Sequence, residues 1–192
     1  LLINNNKISN CIQDTHIKYL DIIPSCSKLA GAEIELVSMI TREAVLKESL
    51  KTIYGKYKYI IIDSPPSLGL LTINVFTAAN SIIIPIQCEY YALEGLSQLL
   101  NTVRLIQNNL NPNLDIEGVL ITMYDSRLNL SNQVVEEVKQ YFGSKVYKTY
   151  IKRNVRLSEA PSFGKPIVLY DASSTGAQNY MNLVSEILNQ NG

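Results

Sequence analysis

The residues best placed for chemistry stand at one short loop. Tyr59-Ile60-Ile61-Ile62 runs into Asp63, and Ser64-Pro65-Pro66-Ser67-Leu68-Gly69 follows. A carboxylate at the tip of an apolar strand can hold Mg²⁺ directly or through water, as phosphoryl-transfer sites do. Pro65 and Pro66 restrict the backbone beyond it, so the loop has little conformational freedom to lose on binding. The alternative is an aspartate that only caps the next turn. The Asp-x-Pro-Pro context favours the nucleotide site. A phosphate cradle of the form Gly-x-x-x-x-Gly-Lys-[Ser/Thr], whose bare N–H groups close round phosphates, does not occur in the sequence. Gly164-Lys165 does not qualify, because Pro166 follows and no glycine stands at the required spacing.

Charge supplies the second signal. From Lys139 to Lys165 the chain carries Lys139, Lys145, Lys148, Lys152, Arg153, Arg156 and Lys165 against Glu159 alone, a net of +6 in 27 residues. Such a face could hold DNA phosphates with steep salt dependence and little sequence preference. The alternative is a solvated surface balanced in space by Asp125, Glu136 and Glu137. His16 is the only histidine, so a catalytic triad or a multi-histidine metal site would have to use it, and it sits in an ordinary polar stretch. Glu89-Tyr90-Tyr91 reads as a strand-to-helix turn with stacked rings. The 12 tyrosines are scattered rather than spaced as a base-stacking platform.

These residues need elements to hold them. Leu20 to Pro24 predicts a short strand stopped by proline, and Ala30 to about Tyr54 a helix ended by Gly55. Tyr59–Asp63 and Ser81–Pro85 are continuous β-branched runs, the pattern of strands covered on both faces. Leu93, Leu96, Leu99, Leu100, Val103, Ile106 and Leu110 form a helical stripe that Asn111-Pro112 ends. Ile116 to Met123 and Val146 to Ile151 predict further strands. A helix from about Ser131, a plausible N-cap, stops at Gly143, and another covers Gly176 to Leu188. Alternating strands and helices imply βαβ crossovers and a mainly parallel sheet. Ligands then bind at the carboxyl ends of the strands, in the loops after Pro24, Asp63, Pro85, Met123 and Ile151.

Composition bounds the class. The 192 residues, 46% hydrophobic and 18% charged, fit one packed domain and not a disordered chain. Lys+Arg and Asp+Glu both number 17, which excludes a globally basic nucleic-acid binder but not a basic face. No apolar run approaches the ~20 residues of a membrane span. Cys11, Cys26 and Cys88 lack metal-ligand spacing and suit a reducing cytoplasm. The first residue is Leu, which suggests a fragment.

Together these residues resemble the ParA/Soj family of chromosome- and plasmid-partitioning ATPases, which have a deviant Walker motif. The resemblance is carried by Leu29–Leu36, by Tyr59–Asn74 with its Ile-Asp-Ser-Pro-Pro-Ser-Leu-Gly, by Pro85–Leu96, by Gly118–Arg127, and by Arg153–Ser162 running on to Gly164-Lys165-Pro166. It covers the chain from about Leu20 onward. It implies a three-layer, doubly wound, mostly parallel α/β sheet of the P-loop NTPase type, a single domain over 1–192. The family's phosphate loop, with its signature lysine, and its first strand and helix would precede this chain.

By position, Asp63 resembles the Walker B aspartate that orders Mg²⁺ and water, and Pro65 and Pro66 belong to the adjoining switch-like loop. Met123 and the stretch Lys152-Arg153-Asn154-Val155 are similar to the family's nucleotide-side loops. There the family usually has proline where this chain has Lys152, a departure expected to loosen the backbone. Arg127 and Arg156, with Lys148 and Lys165, are the implied DNA contacts. Asp171-Ala-Ser-Ser-Thr-Gly-Ala177 lacks the basic residue usual there. The resemblance implies that ATP and Mg²⁺ drive a homodimer that coats double-stranded DNA nonspecifically, on the nucleoid in the cytoplasm. A ParB/Spo0J-type partner would then stimulate hydrolysis. Without the cradle, this chain alone is expected to hydrolyse no ATP. Two rivals are a non-catalytic DNA-binding or regulatory remnant and a MinD-like positioning ATPase. The latter family ends in a basic amphipathic helix, and no basic residue follows Lys165 here, so no membrane contact is expected.

Overall fold

A computed structural model describes Leu2, residues 7–89 and residues 94–190. The chain divides into two compact units, one of Leu1–Ser81 and Leu99–Asp115 and one of Ile82–Gln98 and Ile116–Gly192.

In the first unit β1 (Gln13–Asp14) and β2 (Asp21–Ile22) pair antiparallel, with Gln13 opposite Ile22. Helices α1 (Leu29–Val37), α2 (Val45–Leu50) and α3 (Leu70–Ala78) follow. The single helix expected from Ala30 to Tyr54 is therefore two. Between them Thr41 adopts left-handed backbone (φ 58°), and Arg42 Nη1 donates to Val37 O at 2.8 Å, closing the end of α1. Gly55 does end the segment, at φ 81°, a conformation that costs glycine little. The core gathers Ile8, Leu50 and Ile53, with Ile12, Leu46, Tyr57, Ile62 and Ala78 packed against them.

The strand expected at Tyr59–Asp63 is absent from every sheet of the described residues. Tyr59, Ile60 and Ile61 are exposed, Ile61 to 93%, and only Ile62 reaches the core. β-branched residues favour extended backbone, but a strand exists only where a neighbour takes up its N–H and C=O groups. Among the described residues none does.

In the second unit β3 (Ser81–Gln87) lies beside β4 (Asp115–Thr122). On its other side β4 meets the run from Val146 to Lys152 in parallel, through Val119 with Val146 and Tyr124 with Lys152. Tyr147 N donates to Val119 O at 3.0 Å and Ile151 N to Ile121 O at 2.9 Å. Among the described strands β4 is the one buried on both faces, with Val119, Leu120 and Ile121 all buried. In β3, by contrast, Ile82, Ile84 and Ile86 are buried while Ile83 is exposed. Helix α4 (Glu94–Asn109) has residues in both units, and the other helices of this unit are α5 (Asn129–Phe142), α6 (Val155–Glu159), α7 (Ile167–Tyr170) and α8 (Thr175–Gln190). Leu96, Leu100, Val103 and Ile106 form the buried stripe of α4. Helix α5 begins two residues before the expected Ser131, whose side chain is fully buried instead of capping. Gly143, at φ 55°, ends α5 as expected. Helices alternating with a parallel sheet are the expected α/β class.

Candidate functional site

Asp63 lies on a cleft of about 660 Å³ in the first unit, lined by Ser25, Cys26, Ser27, Leu29 and Ala30 on one side and by Asp63, Ser64, Pro65, Pro66 and Leu71 on the other. The volume is that of a small-molecule site, which typically measures ~300–1,000 Å³. Three elements make it. Beside the segment Asp63–Pro66, the chain leaving β2 supplies Ser25, Cys26 and Ser27, α1 supplies Leu29 and Ala30, and α3 supplies Leu71. Tyr57 Oη donates to Asp21 Oδ2 at 2.5 Å, tying the segment that leads to Asp63 to the start of β2. The donors facing the cleft are a carboxylate and hydroxyls, hard oxygen ligands of the kind Mg²⁺ accepts, so the residues present fit that ion. Among the described residues no cluster of three His, Cys, Asp or Glu side chains offers an all-protein metal cage.

The loop from Ser64 to Gly69 is held by residues that the sequence pattern did not single out. Thr72 Oγ1 donates to Ser67 O at 2.5 Å, with Pro65 O at 3.5 Å. Glu33 Oε1 from α1 reaches the start of α3, where Leu71 N lies at 3.5 Å. A Cβ at Gly69 would meet that carboxylate, so a side chain there would displace Glu33 from the start of α3. Asn74, 1% exposed, donates through Nδ2 to Arg42 O (2.7 Å) and Leu70 O (2.9 Å) and accepts from Leu46 N (3.1 Å), locking α3 to α2.

The other residues expected at the nucleotide, Met123 and residues 152–155, belong to the second unit and lie at the carboxyl ends of its strands. Met123 leaves β4 in left-handed backbone (φ 53°), a conformation uncommon outside glycine and asparagine. The turn lets Tyr124 pair anew: its N–H donates to Ile151 O and its O accepts from Arg153 N, both at 3.1 Å. Lys152 N donates to Asn179 Oδ1 at 3.2 Å. This corrects the expectation of a loosened backbone, because the N–H that proline would lack is the one α8 holds. Asn154 caps α6, its Oδ1 accepting from Arg156 N at 2.8 Å. Val155 is exposed. Farther along α8, two turns from Asn179, Glu186 accepts from Lys148 N (2.7 Å) and Thr149 N (3.0 Å). The seven-residue spacing of Asn179 and Glu186 on one helix face was the signal available in the sequence.

The basic segment is partly neutralised. Arg127 grips Asp125 through Nε (2.9 Å) and Nη2 (2.6 Å), and these bonds hold the Asp125 carboxyl down to about 2. Arg153 Nη2 lies 3.4 Å from Glu89. Arg156 meets Glu159 at 2.8 Å and Asp171 at 3.5 Å, and Lys139 lies 3.6 Å from Glu136. Lys148, Lys152 and Lys165 are exposed and have no acidic side chain within ion-pair distance among the described residues. Tyr90 and Tyr91 lie outside the described residues. No helix among them is long and apolar enough to cross a membrane.

The family described as an AAA domain (AAA_31) matches residues 1–116 of this chain. The chain is similar to the sporulation initiation inhibitor protein Soj of Bacillus subtilis, 61% identical over 187 residues that make up 97% of this chain and 74% of that protein. It is 52% identical to the chromosome partitioning protein ParA of Myxococcus xanthus, covering 97% of this chain and 66% of that one. Among solved structures, cobyrinic acid a,c-diamide synthase of Mycobacterium smegmatis, with a bound ATP analog and magnesium, superposes with a TM-score of 0.81 at 33% identity, covering 97% of this chain and 69% of that one.

Proposed function

This chain belongs to the ParA/Soj family of chromosome-partitioning ATPases, and on that premise we propose that the cleft at Asp63 is the Mg²⁺ and γ-phosphate side of an ATP site. The observation that carries the reading is the cleft that gathers Ser25, Ser27, Asp63 and Ser64 beside the Pro65–Pro66 loop. Asp63 and Ser64 would hold Mg²⁺ and its water, and Lys152, Arg153, Asn154 and Val155, with Met123, would contact the nucleotide. Bound Mg²⁺ neutralises charge developing on the transferred phosphoryl group. The protein's part is alignment, which Pro65, Pro66 and their anchors provide. These 192 residues contain no glycine-lysine cradle, so by themselves they are expected to hydrolyse no ATP.

The finer reading is that ATP drives homodimerisation, that the dimer binds double-stranded DNA nonspecifically on the nucleoid through Arg127, Lys148, Arg156 and Lys165, and that a ParB/Spo0J-type partner stimulates hydrolysis. Two experiments test it. In the full-length protein, Asp63→Asn should cut Mg²⁺-dependent ATP hydrolysis by about 100-fold or more, the scale of a lost electrostatic catalytic group. A variant hydrolysing at the wild-type rate would remove Asp63 from the site. In a gel shift with ATP, changing Arg127 and Arg156 together to Ala should weaken DNA binding. Unchanged affinity would remove the DNA assignment.

A further inference from the structure

Helix α3 carries two buried threonines five residues apart, and they spend their hydroxyls differently. Thr77, 2% exposed, donates to Ile73 O four residues back at 2.7 Å, the self-contained bond a helical threonine commonly makes. Thr72, 3% exposed, sends its hydroxyl out of the helix to Ser67 O at 2.5 Å, with Pro65 O at 3.5 Å. Its two acceptors are carbonyls of the loop that joins Asp63 to α3. The helix itself is fixed independently, by Asn74 against Arg42 and Leu46. Thr72 thus links a rigid helix to the loop behind Asp63, and it does not line the cleft.

We propose that Thr72 is a positioning residue for the reaction at Asp63, setting the place of the Pro65–Ser67 backbone through its hydroxyl. The inference rests on the reading of the cleft as an ATP site. One proton serves two carbonyls, and both belong to the chain that must hold still while Asp63 presents its ligand. Losing that bond leaves the Ser67 carbonyl beside a methyl group instead of a donor and frees the loop to shift. A displacement of the order of 1 Å at such a site can cost about 100-fold in rate. Thr77 provides the internal control, because Thr77→Val deletes an equally buried hydroxyl on the same helix without touching the loop.

The test uses the full-length protein with Thr72→Val, Thr72→Ser and Thr77→Val, read by steady-state ATP hydrolysis and by amide exchange of Ser64, Ser67, Leu68 and Gly69. Thr72→Val should lower kcat roughly tenfold or more while KM changes about twofold or less, because alignment and not substrate binding is lost. It should also speed exchange in the loop. Thr72→Ser should restore both, and Thr77→Val should leave both at wild-type values even where it lowers the melting temperature. A kcat for Thr72→Val equal to wild type, or an equal fall in Thr77→Val, would overturn the inference while leaving the ATP site intact. A wild-type protein without Mg²⁺-dependent hydrolysis would overturn the reading of the site, and the inference with it.

Discussion

Tyr59-Ile60-Ile61-Ile62 and Ser81-Ile82-Ile83-Ile84 have nearly the same side chains and opposite fates. The second becomes β3, with Ile82 and Ile84 buried. The first stays outside any sheet among the described residues, with Ile61 93% exposed. Side-chain type therefore does not make a strand; a paired neighbour does. β3 has β4 beside it, whereas the run before Asp63 is held by tertiary ties, Tyr57 to Asp21 behind it and Thr72 to Ser67 ahead of it. In the second unit the carboxyl ends of the strands are fixed by the sheet and by α8. At the cleft, positioning rests on a few buried polar side chains.

That contrast can be broken in stability measurements. Ile121 in β4 is fully buried (0% exposed), so Ile121→Ala should cost about 2–5 kcal/mol in denaturant unfolding of this chain, while Ile61→Ala should stay within about 0.5 kcal/mol. Similar losses at both would mean that the run before Asp63 is buried after all. The next effect is local crowding in the second unit. A Cβ at Gly118 would meet the Tyr147 ring at 2.5 Å, so Gly118→Ala should cost about 1–3 kcal/mol by the same measurement. The Tyr147 hydroxyl is buried without a hydrogen-bond partner among the described residues, and burial, with the Glu117 and Glu186 carboxylates, pushes it up to about 12. Tyr147→Phe should therefore be neutral or stabilise by up to about 1 kcal/mol.

Charge in the two kinds of basic residue sharpens the comparison further. Arg127 and Arg156 are paired to carboxylates, whereas Lys148 and Lys165 are exposed without an acidic neighbour among the described residues. Replacing both lysines by Ala should reduce the salt slope of DNA binding by the full-length protein by about 2, one for each phosphate no longer neutralised. An unchanged slope would place the DNA elsewhere. The smallest effect is at Asp125. Its carboxyl, held down by Arg127, contributes stability above the unfolded value of about 3.9, and that contribution fades as pH falls toward about 2. Arg127→Ala should move the Asp125 titration, followed by NMR, up toward the ordinary value.

Much of the chain from Ser81 onward was legible in the sequence, because its elements are local and their signals agree. The apolar stripe gave α4, the β-branched runs gave β3 and β4, and Gly143 marked the end of α5. The first unit was less legible. Helical spacing continues across the break between α1 and α2, so periodicity could not report the left-handed turn at Thr41. The fate of Tyr59–Asp63 depends on which chain lies beside it, and a one-dimensional pattern carries no such information. Asp63 and its prolines stood out by type and spacing, yet their anchors did not. Glu33, Thr72 and Asn74 are ordinary helix residues until the fold sets them against the loop and the turn before α2, and Asn179 acts on Lys152 from 27 residues away.

On the function proposed above, a divalent ion and the phosphates of ATP would sit at the Asp63 cleft. Mn²⁺ in place of Mg²⁺, bound with a non-hydrolysable ATP analogue to the isotope-labelled full-length protein, tests this most directly through paramagnetic broadening of backbone amides. The account predicts loss of the Cys26, Asp63 and Ser64 signals, abolished in Asp63→Asn. Nucleotide-dependent broadening centred on other residues, with these three left sharp, would contradict it.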